Sequence, residues 1–183
     1  MLTSKIKITN FKTKKQKKYY IYKEIKKINF LKRYKFLISL TNNYKNNYKN
    51  LKLKKLKKIK NINLIGMGGS ILGSKAIYSF LRNKIKKNFQ FIDNLNASEK
   101  SKININKNIN IIISKSGNTL ETISNFSLIK KKQKNIFITE RTNNHLYNLA
   151  MQTKSEIVEH KNYIGGRYSV LSEVGMLPAE LMG

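Results

Sequence analysis

The chain contains the stretch Ile109-Asn110-Ile111-Ile112-Ile113-Ser114-Lys115-Ser116-Gly117-Asn118-Thr119-Leu120-Glu121-Thr122. Its apolar first part predicts a buried strand over 109–113, and the residues that follow predict a helix over 123–130. Four hydroxyl side chains, a lysine and a glycine therefore lie where a strand gives way to a helix. The first turn of a helix has unpaired backbone N–H groups and the positive end of the helix dipole, so this loop suits a phosphate monoester.

Short apolar runs alternate with longer amphipathic segments on both sides of this stretch, from residue 61 onward. Strands are predicted at 62–65, 89–92, 109–113, 135–139 and 156–158, and helices at 71–81, 123–130 and 145–152. Residues 170–183 predict a further helix that is interrupted or restarts near Pro178. Strands that alternate with helices are typical of an α/β fold, in which helices flank a parallel sheet. Ligands of such sheets bind beyond the carboxyl ends of the strands.

Residues 1–60 differ from the rest of the chain, because Lys-rich and Asn-rich stretches such as 12–18 and 44–60 dominate them. Apolar residues recur there at near-helical spacing in two groups. They are Ile21, Ile25, Ile28, Leu31, Phe36 and Leu37, and then Leu51, Leu53, Leu56 and Ile59. We therefore predict a basic helical segment over 1–60, with two or so amphipathic helices that pack against an α/β domain over 61–183.

The net charge of +29 arises from 38 Lys and Arg against 9 Asp and Glu. A basic surface concentrates polyanions, so nucleic-acid binding is one interpretation. The other is compositional drift, since Lys, Asn, Ile, Tyr and Phe are plentiful while Pro occurs once and Cys and Trp are absent. No RNP-like aromatic motif or zinc-ligand spacing accompanies the charge, so we favour drift and predict no specific nucleic-acid partner.

The absence of Cys excludes disulfides and a thiolate metal site from the sequence argument. The longest apolar runs are too short to span a bilayer, and the first residues lack the apolar stretch of a signal peptide. We expect a cytoplasmic protein with no membrane partner.

A first glycine-rich loop, Gly66-Met67-Gly68-Gly69-Ser70, follows the strand predicted at 62–65. Glycine lets the backbone turn sharply and approach a ligand closely. A dinucleotide site is one interpretation, with Asp93 after the next strand, but Ile71 occupies the position of the third glycine of that fingerprint. A tight turn without a ligand is the other interpretation.

The hydroxyl loop over 114–122 lacks the Gly-Lys-Ser/Thr ending of a Walker motif. Its small hydroxyl groups can each donate a hydrogen bond to a phosphate oxygen. An ordinary helix cap by Thr119 is the alternative, but such a cap needs one hydroxyl and not four. We therefore favour phosphate binding.

A third loop, Gly165-Gly166-Arg167-Tyr168-Ser169, follows the last predicted strand. Two glycines before an arginine allow the guanidinium to approach a substrate, where it would stabilise a developing oxyanion. By itself, the loop slightly favours the alternative, a turn that has a surface arginine.

At these three loops the chain closely resembles the glucose-6-phosphate isomerase (phosphoglucose isomerase) family. The matching segments are Ile65-Gly66-Met67-Gly68-Gly69-Ser70-Ile71-Leu72-Gly73, Ser114-Lys115-Ser116-Gly117-Asn118-Thr119-Leu120-Glu121-Thr122 and Gly165-Gly166-Arg167-Tyr168-Ser169-Val170-Leu171-Ser172. The family has two sugar isomerase (SIS) domains, each a three-layer parallel sheet between helices. Its members interconvert glucose 6-phosphate and fructose 6-phosphate through an enediol, in glycolysis and gluconeogenesis, without a metal or other cofactor, and are typically homodimers.

The resemblance also implies site residues. Those for the substrate phosphate are Ser114, Lys115 (through its backbone), Ser116, Thr119 and Thr122, and those for the sugar are Gly68, Gly69 and Ser70. Arg167 is the implied catalytic residue, which stabilises the charge of the enediolate. A non-catalytic SIS module that senses a sugar phosphate is the alternative function, and it would not need Arg167.

The family's proton-shuttling Glu, its ring-opening His and Lys and a supporting Gln lie well after the arginine signature, whereas this sequence ends at Gly183. We therefore expect a fragment with the first SIS domain and without the second, which binds sugar phosphates weakly and isomerises them slowly or not at all. His145 and His160 precede the signature, and we interpret both as surface-loop residues without a catalytic role.

Overall fold

The computed structural model describes residues 34–41, 43–48, 51–95, 108–129 and 133–183. The chain divides into two compact units, Met1–Tyr34 and Lys35–Gly183, and the following description concerns the second unit. The apolar positions from Ile21 to Leu31, where we predicted an amphipathic helix, lie outside the described residues. The boundary predicted near residue 60 stays a prediction.

The described part of the second unit contains five strands, which form one parallel sheet in the order β2-β1-β3-β4-β5. The strands are β1 (Asn61–Gly66), β2 (Asn88–Ile92), β3 (Asn108–Ile113), β4 (Lys134–Thr139) and β5 (Glu156–Glu159). All six residues of β3 are buried, as expected of a central strand that is covered on both faces. The predicted α/β fold with a parallel sheet is confirmed.

Helices cover both faces of this sheet. They are α1 (Leu53–Leu56), α2 (Gly69–Phe80), α3 (Leu120–Ser127), α4 (His145–Gln152) and α5 (Glu173–Met182), with 3₁₀ helices at Lys35–Leu40 and Gly166–Leu171. Because neighbouring strand residues point to opposite faces, Leu64 belongs to the core that includes residues of α2 and α5, and Ile65 to the core that includes residues of α3 and α4. The result is the predicted three-layer arrangement. Within the described residues, no helix is long and apolar enough to cross a membrane.

The second predicted amphipathic helix before residue 60 is reduced to the single turn α1. Leu51 and Ile59 pack in or against the core from irregular backbone, so near-helical spacing did not require a helix. A short, lysine-rich helix is marginal in water, and its stability depends on packing rather than on propensity. Phe36 and Leu37 lie on a 3₁₀ helix.

The predicted interruption near Pro178 is wrong, because α5 continues through this residue and the break lies at Ser172. Pro178 cannot donate a backbone hydrogen bond to the Val174 carbonyl, four residues earlier. The Ser74 hydroxyl of α2 donates to that carbonyl at 3.3 Å. A side chain of the neighbouring helix therefore replaces the missing backbone donor, and the proline is tolerated inside the helix.

Candidate functional site

The strand order places two of the predicted loops side by side. Gly66, the last residue of β1, pairs with Ile113, the last residue of β3. The helix after β1 packs on one face of the sheet and the helix after β3 on the other. Chain connections thus diverge between β1 and β3, which is the topological switch point where parallel α/β sheets bind ligands.

The glycine-rich turn after β1 brings the backbone of α2 against the third loop, residues 165–169, called the arginine loop from here on. Gly68 has a φ of +53°, a conformation that glycine adopts more readily than other residues. A Cβ atom on Gly69 would lie 2.3 Å from the carbonyl carbon and oxygen of Gly166. The two loops are therefore in direct backbone contact. Gly68 caps α2 without a side-chain hydrogen bond, and Ser70 is the second residue of that helix.

The hydroxyl loop after β3 folds back on itself. Ser114 is buried, and its Oγ lies 2.8 Å from Thr119 Oγ1 and accepts a hydrogen bond from the Gly117 N–H at 3.2 Å. Ser116 Oγ is exposed and accepts from the Asn118 N–H at 3.3 Å. Thr119 occupies the N-cap position of α3 but makes no side-chain cap hydrogen bond. Thr122 Oγ1 is buried with no hydrogen-bond partner among the described residues.

The N-terminus of α4 supports the hydroxyl loop from the side of β4. The Leu146 N–H donates to the Gly117 carbonyl at 3.0 Å, and the His145 N–H donates to Asn118 Oδ1 at 3.0 Å. Asn144 caps α4 by accepting from the Tyr147 N–H at 2.9 Å. Two backbone donors of the first turn of α4 are thus bonded to the hydroxyl loop, and the third is bonded to the Asn144 cap. In contrast, α2 and α3 have no side-chain cap.

The Lys115 side chain joins the hydroxyl loop to the segment that leads to Arg167. Its Nζ donates to the Asn162 carbonyl at 2.5 Å and lies 3.7 Å from a carboxylate oxygen of Glu140. The backbone carbonyl of Lys115 accepts from the Glu140 N–H at 3.2 Å. The Lys115 side chain is therefore engaged by neighbouring loops.

Arg167 is exposed on the 3₁₀ helix Gly166–Leu171, which packs closely on α2 and α5. Cβ atoms on Gly73 and Gly175 would lie 2.6 Å and 2.0 Å from atoms of Val170. The Ser169 hydroxyl lies 3.3 Å from the Gly69 carbonyl and 2.7 Å from the Gly166 carbonyl. Among the described residues, no ion pair involves the Arg167 guanidinium.

The acidic residue of the dinucleotide interpretation has a partner within the chain. Asp93 follows β2, and its carboxylate forms an ion pair with Lys75 of α2 at 2.8 Å. One oxygen of this carboxylate is thus engaged by α2. No group of three or more His, Cys, Asp or Glu residues that could hold a metal ion occurs in the described ranges.

Sequence reasoning missed one buried group at this end of the sheet. His160 follows β5 and is only 2 % exposed, so its interpretation as a surface-loop histidine is wrong; His145 is exposed, at the first position of α4. Alternation along β5 was the available signal, because His160 lies two residues after the buried Val158. His160 Nδ1 lies 3.1 Å from the Lys161 carbonyl, while Nε2 has no partner among the described residues.

Burial lowers the pKa of His160 below its usual 6.5, with a smaller contribution from the nearby Lys115 charge. The unfolded chain therefore binds a proton at this histidine more readily than the folded chain does. The contribution of the neutral His160 to the free energy of unfolding is fully present above pH 6.5 and is lost as the pH falls through the folded-state pKa. We expect urea unfolding to show a loss of stability between pH 7.5 and 5 that is smaller in His160→Gln. His145→Gln is the control, and an identical pH dependence in all three proteins would contradict the expectation.

The fold, a five-stranded parallel sheet between layers of helices, is that of the SIS-type class of domains. A hypothetical protein, TT0462, from Thermus thermophilus shares this fold with a TM-score of 0.61, at 24% identity over 73% of this chain and 37% of that chain. The tagatose-6-phosphate ketose/aldose isomerase of Escherichia coli has a TM-score of 0.55 at 17% identity, over 70% of this chain and 40% of its own. At these identities the likeness concerns the fold alone.

Sequence comparison gives the family. A profile described as phosphoglucose isomerase matches residues 37–183, and the chain belongs to that family. The glucose-6-phosphate isomerase of Methanocaldococcus jannaschii is 39% identical over 132 residues, which cover 66% of this chain and 32% of the relative. That of Borreliella afzelii is 37% identical, over 62% of this chain and 25% of the relative. The chain thus spans about a quarter to a third of the length of these curated relatives.

Proposed function

We propose that the chain is the sugar-phosphate-binding part of a glucose-6-phosphate isomerase, which interconverts glucose 6-phosphate and fructose 6-phosphate through an enediol. Family membership supports the reaction type. The observation that carries the proposal is the backbone contact between Gly69 and Gly166, because it brings the arginine loop to the switch point where the hydroxyl loop also begins. One small substrate could then contact the hydroxyl loop with its phosphate and the arginine loop with its reacting end.

In this proposal the hydroxyl loop holds the phosphate. The hydroxyls of Ser114, Ser116, Thr119 and Thr122 and the Lys115 backbone are its ligands. Thr119 leaves the first turn of α3 without a side-chain cap, so the positive end of the helix dipole can act on the phosphate. The Thr122 hydroxyl, which has no hydrogen-bond partner in the described part of the chain, supports the same role, since a buried hydroxyl without a partner is costly unless a ligand satisfies it. Gly68, Gly69 and Ser70 line the sugar.

Arg167 would stabilise the negative charge that develops on the substrate oxygens as the enediolate forms. A guanidinium remains charged at any physiological pH and can donate two parallel hydrogen bonds to adjacent oxygens. Arg167 is exposed and has no carboxylate partner in the described part of the chain, so its donors are available to a ligand. A phosphate-binding module without catalysis would not require such a residue.

The proton transfer between C1 and C2 needs a base, and we propose that the carboxylates near these loops do not supply it. Glu140 pairs with Lys115, while Glu173 accepts hydrogen bonds from the Tyr44 hydroxyl and the Asn47 N–H. The chain by itself would then isomerise glucose 6-phosphate slowly, because a positioned base contributes roughly 10²–10⁴-fold. A coupled assay that gave robust turnover by the purified 183-residue protein would contradict this.

In this proposal, the complete isomerase to which the chain would belong is a cytoplasmic homodimer.

The direct test of the phosphate loop is the variant Ser116→Ala/Thr119→Ala. We expect its affinity for 6-phosphogluconate to fall by about 100-fold or more, because two hydrogen bonds to a charged group are lost, each contributes roughly 1.5–3 kcal/mol, and about 1.4 kcal/mol is tenfold in affinity. Isothermal titration calorimetry at physiological ionic strength measures the effect. Ser127→Ala/Thr153→Ala, which removes the same two residue types from exposed positions, is the matched control. Equal affinities of the two variants would contradict the assignment and leave the net charge as the source of anion binding.

A further inference from the structure

Residues 35–41 and 43–48, called the strap from here on, lie against the 3₁₀ helix Gly166–Leu171, called the arginine helix from here on. Phe36 stacks on Tyr168, the residue after Arg167, with ring centroids 4.4 Å apart and planes inclined by 29°. A shallow groove between the two 3₁₀ helices is lined by Phe36, Leu37 and Leu40 of the first helix and by Arg167, Tyr168 and Leu171 of the second. The strap therefore contacts the helix that carries Arg167.

A second anchor ties the strap to the residue at which α5 begins. Glu173 is completely buried, and its carboxylate accepts from the Tyr44 hydroxyl at 2.6 Å and from the Asn47 N–H at 3.0 Å. Burial, together with the hydrogen bond to Glu173, raises the pKa of Tyr44, so the hydroxyl stays protonated and continues to donate. Only Ser172 separates Glu173 from the end of the arginine helix.

Two sets of contacts thus hold the arginine helix. The absence of side chains at Gly69, Gly73 and Gly175 lets it approach α2 and α5 closely. On the strap, Phe36 stacks on Tyr168, and Tyr44 donates a hydrogen bond to Glu173. Arg167 itself is exposed and forms no ion pair within the described residues, although it lines the groove beside the strap. Its backbone placement must come from these neighbours.

We propose that the strap is a positioning element for Arg167, which holds the arginine helix against Gly69 through the Phe36–Tyr168 stack and the Tyr44–Glu173 hydrogen bond. The proposal rests on the proposed function, in which Arg167 faces the enediolate. Positioning matters here because a displacement of about 1 Å can reduce the stabilisation of a transition state by roughly 10²-fold. The strap acts through Arg167 and does not touch the substrate.

Tyr44→Phe in the full chain tests the proposal with two ligands. One is a phosphorylated sugar hydroxamate, a charged mimic of the enediolate, and the other is glucitol 6-phosphate, which has the phosphate but no charged head. Arg167→Ala is expected to weaken the hydroxamate about 100-fold and to change the polyol phosphate little. We expect Tyr44→Phe to weaken the hydroxamate about 5- to 20-fold, to leave the polyol phosphate unchanged, and to have no effect in the Arg167→Ala background.

Tyr48→Phe is the matched control, since Tyr48 is also on the strap but its hydroxyl interacts with Glu180, at the far end of α5. We expect it to leave the ratio of the two affinities unchanged. Phe36→Leu, which removes the ring stacked on Tyr168, replaces Tyr44→Phe if that variant fails to fold, with the same expected direction.

Three outcomes would overturn the proposal. The first is an equal loss of affinity for both ligands in Tyr44→Phe. The second is a loss of hydroxamate affinity that persists in the Arg167→Ala background. The third is an unchanged hydroxamate affinity in a folded Tyr44→Phe or Phe36→Leu variant. A wild-type chain that bound neither ligand would overturn the proposed function itself, and the role of the strap with it.

Discussion

Gly117→Ala is expected to abolish phosphate binding and to destabilise the fold by about 2–4 kcal/mol. Gly117 has a φ of +67°, which disfavours any residue with a Cβ atom. That atom would also lie 1.8 Å from Asn144 Oδ1, the atom that caps α4. The loop, the cap or both must move, and the Leu146 hydrogen bond to the Gly117 carbonyl is lost with them. Calorimetry with 6-phosphogluconate and urea unfolding measure the two effects.

Two further variants separate strain from collision. Gly117→Ala combined with Asn144→Gly removes the colliding side chain but keeps the positive φ, so we expect partial recovery of stability. Gly165→Ala is the control, because Gly165 has an ordinary φ of −73° and its Cβ would meet only Tyr168 at 3.7 Å. Normal phosphate affinity in Gly117→Ala would show that the loop conformation is not needed for binding.

Gly69→Ala is expected to remove the contribution of Arg167 while the protein stays folded. Alanine suits the first turn of α2 as well as glycine does, but its Cβ would lie 2.3 Å from the Gly166 backbone. The two loops must separate by roughly 1 Å before the contact becomes ordinary, and such a displacement costs on the order of 100-fold in transition-state stabilisation. We expect about that loss of affinity for the phosphorylated hydroxamate, with binding of inorganic phosphate retained.

The test depends on whether Gly69→Ala weakens the hydroxamate more than it weakens inorganic phosphate. If Gly69→Ala weakened inorganic phosphate as much as the hydroxamate, the glycine would support the whole site rather than the arginine loop. If it weakened neither ligand, the contact between Gly69 and Gly166 would have no bearing on the proposed function. Gly165→Ala again provides the comparison, since it changes the same loop without a collision.

The sheet was predictable because each strand is a short apolar run. Residues 109–113, predicted as a strand, form all of β3 except its first residue, and residues 135–139 do the same for β4. The loops were predictable for a related reason, since a glycine-rich turn or a cluster of hydroxyls acts through adjacent residues. Their backbone geometry at Gly68 and Gly117 confirms the need for glycine. The roles assigned to the site residues stay predictions.

Polar residues inside the sheet were beyond sequence reasoning. Asn63, Asn110 and Asn135 lie side by side on β1, β3 and β4, and their amides form hydrogen bonds of 2.8 Å across the sheet. Each amide is unfavourable in a core by itself and becomes tolerable only when the strand register aligns it with its neighbours. The residues around each asparagine do not specify how its strand aligns with the neighbouring strands.

By itself, the sequence determined the elements and motifs that depend on neighbouring residues: the apolar strands, the glycine turns and the order of the three loops. The assembled fold was needed for everything that joins distant residues. It brings Gly69 against Gly166, buries His160, lets Ser74 compensate for Pro178 and lays the strap over the arginine helix. The physical reason is that local propensity acts within a few residues, whereas close packing and the pairing of buried polar groups are set by the three-dimensional arrangement of the whole chain.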